Sequence, residues 1–146
     1  MKVFLLLIFI IINSYGNGSW SSVSNLECKN GGGELEAGEC KGSWETAEKI
    51  CLSKGYRLPY LFELMIAKQD KGDRRLFLKS IYWSSNNNSY YNEKKRRIVK
   101  GDSYWVQNFS PNYRGVYPVM NYYNEKAFIK CTSKSYWKDT AFQPIK

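Results

Sequence analysis

Ser43-Trp44-Glu45-Thr46-Ala47-Glu48-Lys49-Ile50-Cys51 runs by way of Leu52-Ser53-Lys54 into Gly55-Tyr56-Arg57-Leu58-Pro59. Trp44, Ala47 and Cys51 recur at helical spacing and mark one inner face, while Glu45, Glu48, Lys49 and Lys54 are expected to reach water. Ser43 is a good N-cap, and Gly55 supplies a stop because glycine takes left-handed backbone without steric penalty. Pro59 holds Leu58 extended and suits the start of a second helix, in which Leu61, Leu64 and Met65 share one face with Glu63 nearby. A helix, a short extended link and a second helix are the frame from which the rest of the chain is read.

Toward the C-terminus, residues 69–75 are charged, contain Gly72 and read as a loop. Short aromatic and β-branched runs follow at residues 81–83, 104–109, 116–120 and 127–132, separated by Asn, Gly, Ser and Pro. Two helices followed by a meandering antiparallel sheet make an α+β domain, with Trp44, Ala47, Leu58, Leu64 and Trp83 as its expected core. No internal repeat is present.

Toward the N-terminus, Lys2, an apolar run over residues 3–12 and then Asn13-Ser14-Tyr15-Gly16 read as a secretory signal peptide over residues 1–16. The run is shorter than the roughly 20 residues that a spanning helix needs. Residues 17–25 hold only Trp20 and Val23 as larger apolar side chains and are expected to be a flexible lead to a single domain over residues 26–146. Roughly 130 residues remain after cleavage, one core's worth. The 146-residue chain has 22 Lys and Arg against 13 Asp and Glu, a formal charge of +9, which favours polyanionic partners. The expected location is secreted, periplasmic or cell-surface.

Cys28, Cys40, Cys51 and Cys131 form an even set, which in an oxidising compartment implies two disulfides. Three connectivities are open. The favoured one joins Cys28 to Cys40 around Asn30-Gly31-Gly32-Gly33 and ties Cys51 on the first helix to Cys131 on the last strand.

Trp44-x-x-Ala47-x-x-x-Cys51, Tyr56-Arg57-Leu58-Pro59 before Glu63-Leu64, Tyr82-Trp83-Ser84-Ser85 and Ile129-Lys130-Cys131 together resemble the Lcl C-terminal domain family. This bacterial group has C-type-lectin-like features and occurs in collagen-like adhesins and short exported proteins. The resemblance covers residues 40–132. It implies a C-type-lectin-like fold and an adhesive, carbohydrate-binding role with polyanionic glycans as one ligand class, and it does not imply catalysis. It also implies a disulfide-closed hairpin ahead of the first helix, the place that Cys28 and Cys40 occupy. The Glu-Pro-Asn or Gln-Pro-Asp and Trp-Asn-Asp tripeptides of calcium-dependent lectins are absent, and Trp105-Val106-Gln107-Asn108 is a distant echo. Asp70 and Asp73 are crowded by Lys71, Arg74 and Arg75, so no metal and no cofactor is expected.

Lys94-Lys95-Arg96-Arg97, extended by Lys100 and preceded by Tyr90 and Tyr91, is the sharpest local feature. Four adjacent cations repel one another and belong on an exposed loop, where they suit sulfate or phosphate groups; the bland reading is a solvated, solubilising loop. Tyr104, Trp105, Tyr113, Tyr117, Tyr122, Tyr123, Tyr136 and Trp137 serve as strand core or as stacking surface, and the last four of these are the candidates for exposure. The chain has no His, which excludes a Ser-His-Asp triad and leaves only a carboxylate pair, Glu34 or Glu36 with Glu45, for hydrolysis; a raised carboxylate pKa in a cleft would mark it. Expected partners are an anionic polysaccharide or cell surface, with nucleic acid also open. An assembly role as a subunit of a surface structure, with a protein partner or a second copy, is the alternative.

Overall fold

The computed structural model describes residues 20–113, 119–122 and 124–133. The expected signal peptide and Tyr117, Tyr123, Tyr136 and Trp137 lie outside them. In chain order the elements are β1 (Trp20–Ser22), α1 (Asn25–Gly31), β2 (Glu34–Glu36), β3 (Glu39–Gly42), α2 (Trp44–Ser53), α3 (Leu61–Gln69) and α4 (Lys71–Arg74). There follow β4 (Ile81–Asn87), β5 (Tyr90–Asn92), β6 (Arg97–Val99), β7 (Ser103–Asn108), β8 (Val119–Tyr122), β9 (Ala127–Phe128) and β10 (Lys130–Thr132).

The α+β composition is as expected, but the order is richer than two helices followed by a meander. The principal sheet runs β2-β3-β9-β4-β7-β8, so the late strand β9 inserts between β3 and β4. It meets β3 antiparallel and β4 parallel, through Tyr82 opposite Phe128. The expected flexible lead is corrected at its second half. Trp20–Ser22 pairs antiparallel with β10, Ser21 opposite Cys131, and Ser24 caps α1 through a reciprocal capping box with Glu27. Backbone pairing, which needs no apolar side chain, orders this polar stretch.

Ser43 caps α2 as its sequence suggests, accepting from the Thr46 amide, and Gly55 follows the helix with φ of 78°. The second helix starts later than Pro59: Tyr60 is its N-cap and the Glu63 carboxylate accepts from the Tyr60 amide at 2.6 Å. Within the expected loop at residues 69–75, Asp70 accepts from the Gly72 and Asp73 amides and starts the one-turn helix α4. Lys54 does not reach freely into water. Its Nζ bonds the Ser22 carbonyl at 2.8 Å and the Glu27 carboxylate at 3.0 Å.

Both disulfides are the favoured ones, Cys28–Cys40 and Cys51–Cys131. The first joins α1 to β3 where a plain hairpin was expected, because residues 25–31 are helical. The core has two parts. Trp44, Ala47, Leu58 and Trp83 lie in one with both disulfides, and Leu64 joins Phe77, Tyr82, Phe109 and Phe128 in the other. Two buried indole N–H groups have acceptors, Trp44 donating to the Ser84 carbonyl and Trp83 to the Gly42 carbonyl, each at 2.8 Å, whereas that of Trp20 has none among the described residues.

Candidate functional site

The link between β4 and β7 carries β5 and β6, which pair only with each other as a hairpin. Asn87 clasps its base. The Asn87 amide donates to the Gly101 and Ser103 carbonyls at 2.8 and 2.9 Å and accepts from the Gly101 N–H at 3.0 Å. Gly101 is required there, since a Cβ would sit 2.1 Å from the Asn88 carbonyl oxygen. At the tip the Asn92 side chain accepts from the Lys95 amide, and Arg96 completes the turn with φ of 48°.

Lys94, Lys95, Arg96 and Arg97 are all exposed on this hairpin, and none is in an ion pair among the described residues. Tyr90 and Tyr91 are 53% and 61% exposed. The register places Tyr90 opposite Val99, Tyr91 opposite Ile98 and Asn92 opposite Arg97. Alternation along the strands therefore puts Tyr90 on the face of Arg97, and Tyr91 on the other face with Ile98, itself 54% exposed. The two tyrosines do not form one platform.

Lys100, predicted to extend the basic run, turns to a different place. Its ammonium lies 5.7 Å from the Trp44 ring centroid and 5.4 Å from that of Tyr104, two rings stacked 3.8 Å apart. Interaction with the Tyr104 hydroxyl holds Lys100 above the usual lysine pKa. Here a cleft of about 360 Å³ opens, lined by Trp44, Leu52, Leu58, Tyr60 and Tyr104 and by Glu48, Arg57, Ser85, Asn87 and Lys100.

Glu48, expected in water, is half-buried on this cleft, and burial raises its carboxyl above the usual range against the opposing pull of Lys100. The signal for it was present, because Glu48 lies four residues after Trp44 and one helical turn puts it beside that ring. Arg57 is a bidentate partner of Glu63, at 2.8 Å for both bonds, and stacks 4.2 Å over the Tyr60 ring. Ser85 donates its amide to the Pro59 carbonyl, but its buried hydroxyl has no hydrogen-bond partner among the described residues.

The remaining candidates fall elsewhere. Glu34 is ion-paired with Lys126, which lowers its pKa, and Glu36 is paired with Lys41 at 2.7 Å. Glu45 is exposed and lines, with Asp102, a hollow of about 420 Å³ that adjoins the cleft through Glu48 and Lys100. Among the described residues no three His, Cys, Asp or Glu side chains cluster as a metal site requires. Tyr104 is core, while Tyr122 is 60% exposed. No family model matches this chain, and the search of curated proteins finds no match either.

Proposed function

We propose that the protein is an exported, non-catalytic binding module of C-type-lectin-like character whose β5–β6 hairpin binds an anionic glycan without calcium. The observation that carries this reading is the hairpin itself, a clasped ribbon presenting Lys94, Lys95, Arg96 and Arg97 to solvent without counter-ions among the described residues. Arginine forks match sulfate and carboxylate oxygens bidentately, and Tyr90 lies on the face of Arg97 to contact a sugar ring. The two disulfides fit an oxidising compartment, outside the cytoplasm or at the cell surface.

Charges this exposed are screened over about 8 Å at physiological salt, so binding through them weakens as salt rises. The test is retention of the oxidised domain on a sulfated-polysaccharide column across a salt gradient. The parent is compared with a variant in which Lys94, Lys95, Arg96 and Arg97 are Ala, and with a control in which the exposed Lys29, Lys49, Lys71 and Arg75 are Ala. Retention lost in the hairpin variant and kept in the control is expected. Equal loss in both reduces the effect to net charge, and no retention of the parent at physiological salt overturns the glycan reading in favour of a protein partner.

A further inference from the structure

The cleft between α2 and the start of β7 holds polar groups that the hairpin reading does not use. Its walls are largely apolar, through Trp44, Leu52, Leu58, Tyr60 and Tyr104, and its volume of about 360 Å³ is within the range of small-molecule sites, ~300–1,000 Å³. The polar residues around it divide into two kinds. Asn87 is occupied by the hairpin clasp and Arg57 by Glu63. What remains for a ligand is Lys100, held by the Tyr104 hydroxyl, together with Glu48 and the Ser85 hydroxyl, which is unpartnered among the described residues. Lys100 and Glu48 share the cleft without forming an ion pair.

We infer that this cleft is a second binding site, taking a small amphiphilic anion: a flat apolar body carrying one carboxylate or sulfonate group. The apolar body lies against Leu52, Leu58 and the aromatic edges, and the acid group accepts from the Lys100 ammonium and the Ser85 hydroxyl. An anion is favoured over a cation because Lys100 already fills the cationic position over Trp44 and Tyr104, while the Arg57 charge is met by Glu63. Against Lys100 stand Glu48, whose ionised form burial disfavours, and Glu45 and Asp102 in the adjoining hollow. The charged or titratable groups around Glu48 are Glu45 on its own helix, Lys100 and Asp102 from the hairpin base, Tyr104 on β7, and Arg57 and Tyr60 from the link before α3. Protonation of Glu48 removes its repulsion of the bound acid and adds a donor, so affinity rises as pH falls.

The probe is naphthalene-2-sulfonate, titrated calorimetrically and by amide chemical shift at pH 7.5 and 5.0, with naphthalene-2-methanol and naphthalene-2-methylammonium as neutral and cationic counterparts. Saturable binding of the sulfonate, with shifts at Ser85 and Lys100, is expected. Lys100→Met should weaken it roughly tenfold or more and Ser85→Ala by less, the scale of a hydrogen bond to a charged group. Glu48→Gln should abolish the pH dependence. The four-Ala hairpin variant should bind the probe like the parent, which separates this site from the proposed glycan site. Absence of saturable binding, equal or tighter binding of either counterpart, parent-like affinity in Lys100→Met, or loss in the hairpin variant each overturns the inference.

Discussion

Gly101 and Lys130 show how much single positions decide. A methyl group at Gly101 meets backbone, not a movable side chain, so Gly101→Ala must displace the Asn88 backbone in the link between β4 and β5 or open the Asn87 clasp. We predict a loss of about 1–3 kcal/mol in urea unfolding, with hairpin amides exchanging faster than those of β7. Lys130 is 3% exposed; its ammonium donates to the Ser22 hydroxyl at 2.9 Å, lies near the Phe77 and Tyr82 rings, and has no ion pair among the described residues. Burial lowers its pKa, opposed by Glu39. Lys130→Met should therefore raise stability at pH 7, by on the order of 1 kcal/mol, read from the urea midpoint. Neither effect is visible in sequence. Gly101 reads there as loop punctuation and Lys130 as an ordinary strand lysine, since a Cβ clash and a desolvated amine both arise from neighbours distant along the chain.

Among the elements, α1 and the two disulfides fix the N-terminal half. Ser24→Ala removes the capping box and should cost about 1 kcal/mol. On the chain-entropy model, removing Cys51–Cys131, which closes 80 residues, should cost about 4.5 kcal/mol, against about 3 for Cys28–Cys40, which closes 12. Double Cys→Ala variants compared by urea unfolding test that ranking, and equal losses would assign the difference to native contacts. The helix α2 was legible because its cap, apolar spacing and terminal glycine are local signals that agree. The helix α1 was not, since Asn, Gly and Lys dominate it and its stability comes from Ser24, Glu27 and the Cys28 bond.

For the whole molecule, pH dependence follows from two opposing carboxyl classes. The Ser24 backbone N–H and Lys54 lower the pKa of Glu27, and Lys126 lowers that of Glu34. Their contribution is complete above the ordinary glutamate value of 4.5 and is lost as pH falls below it. Glu48 has the opposite sign, because its raised folded pKa makes ionisation oppose folding once pH rises above that same 4.5. Glu48→Gln should raise the thermal midpoint at pH 7 and lose that advantage by about pH 3, where the Glu48 carboxyl is almost wholly protonated in the folded and unfolded states alike. A midpoint gain that persists at about pH 3 would trace the effect to packing instead.

The helices from Trp44 and Leu61, the positions of most later strands, the inner face of Trp44, Ala47 and Cys51, and the exposure of Lys94, Lys95, Arg96 and Arg97 were all legible from local pattern. These rest on local periodicity, capping and like-charge repulsion, which act over one or two turns of chain. Tertiary structure alone decided that Trp20–Ser22 pairs with β10, that β9 lies between β3 and β4, and that Tyr90 and Tyr91 face opposite ways. It also took Lys100 from the basic run and set it with Glu48 and Ser85 around one cleft. The physical reason is that strand partners and cleft walls are chosen by contacts between residues tens of positions apart, for which a single chain's local pattern carries no signal.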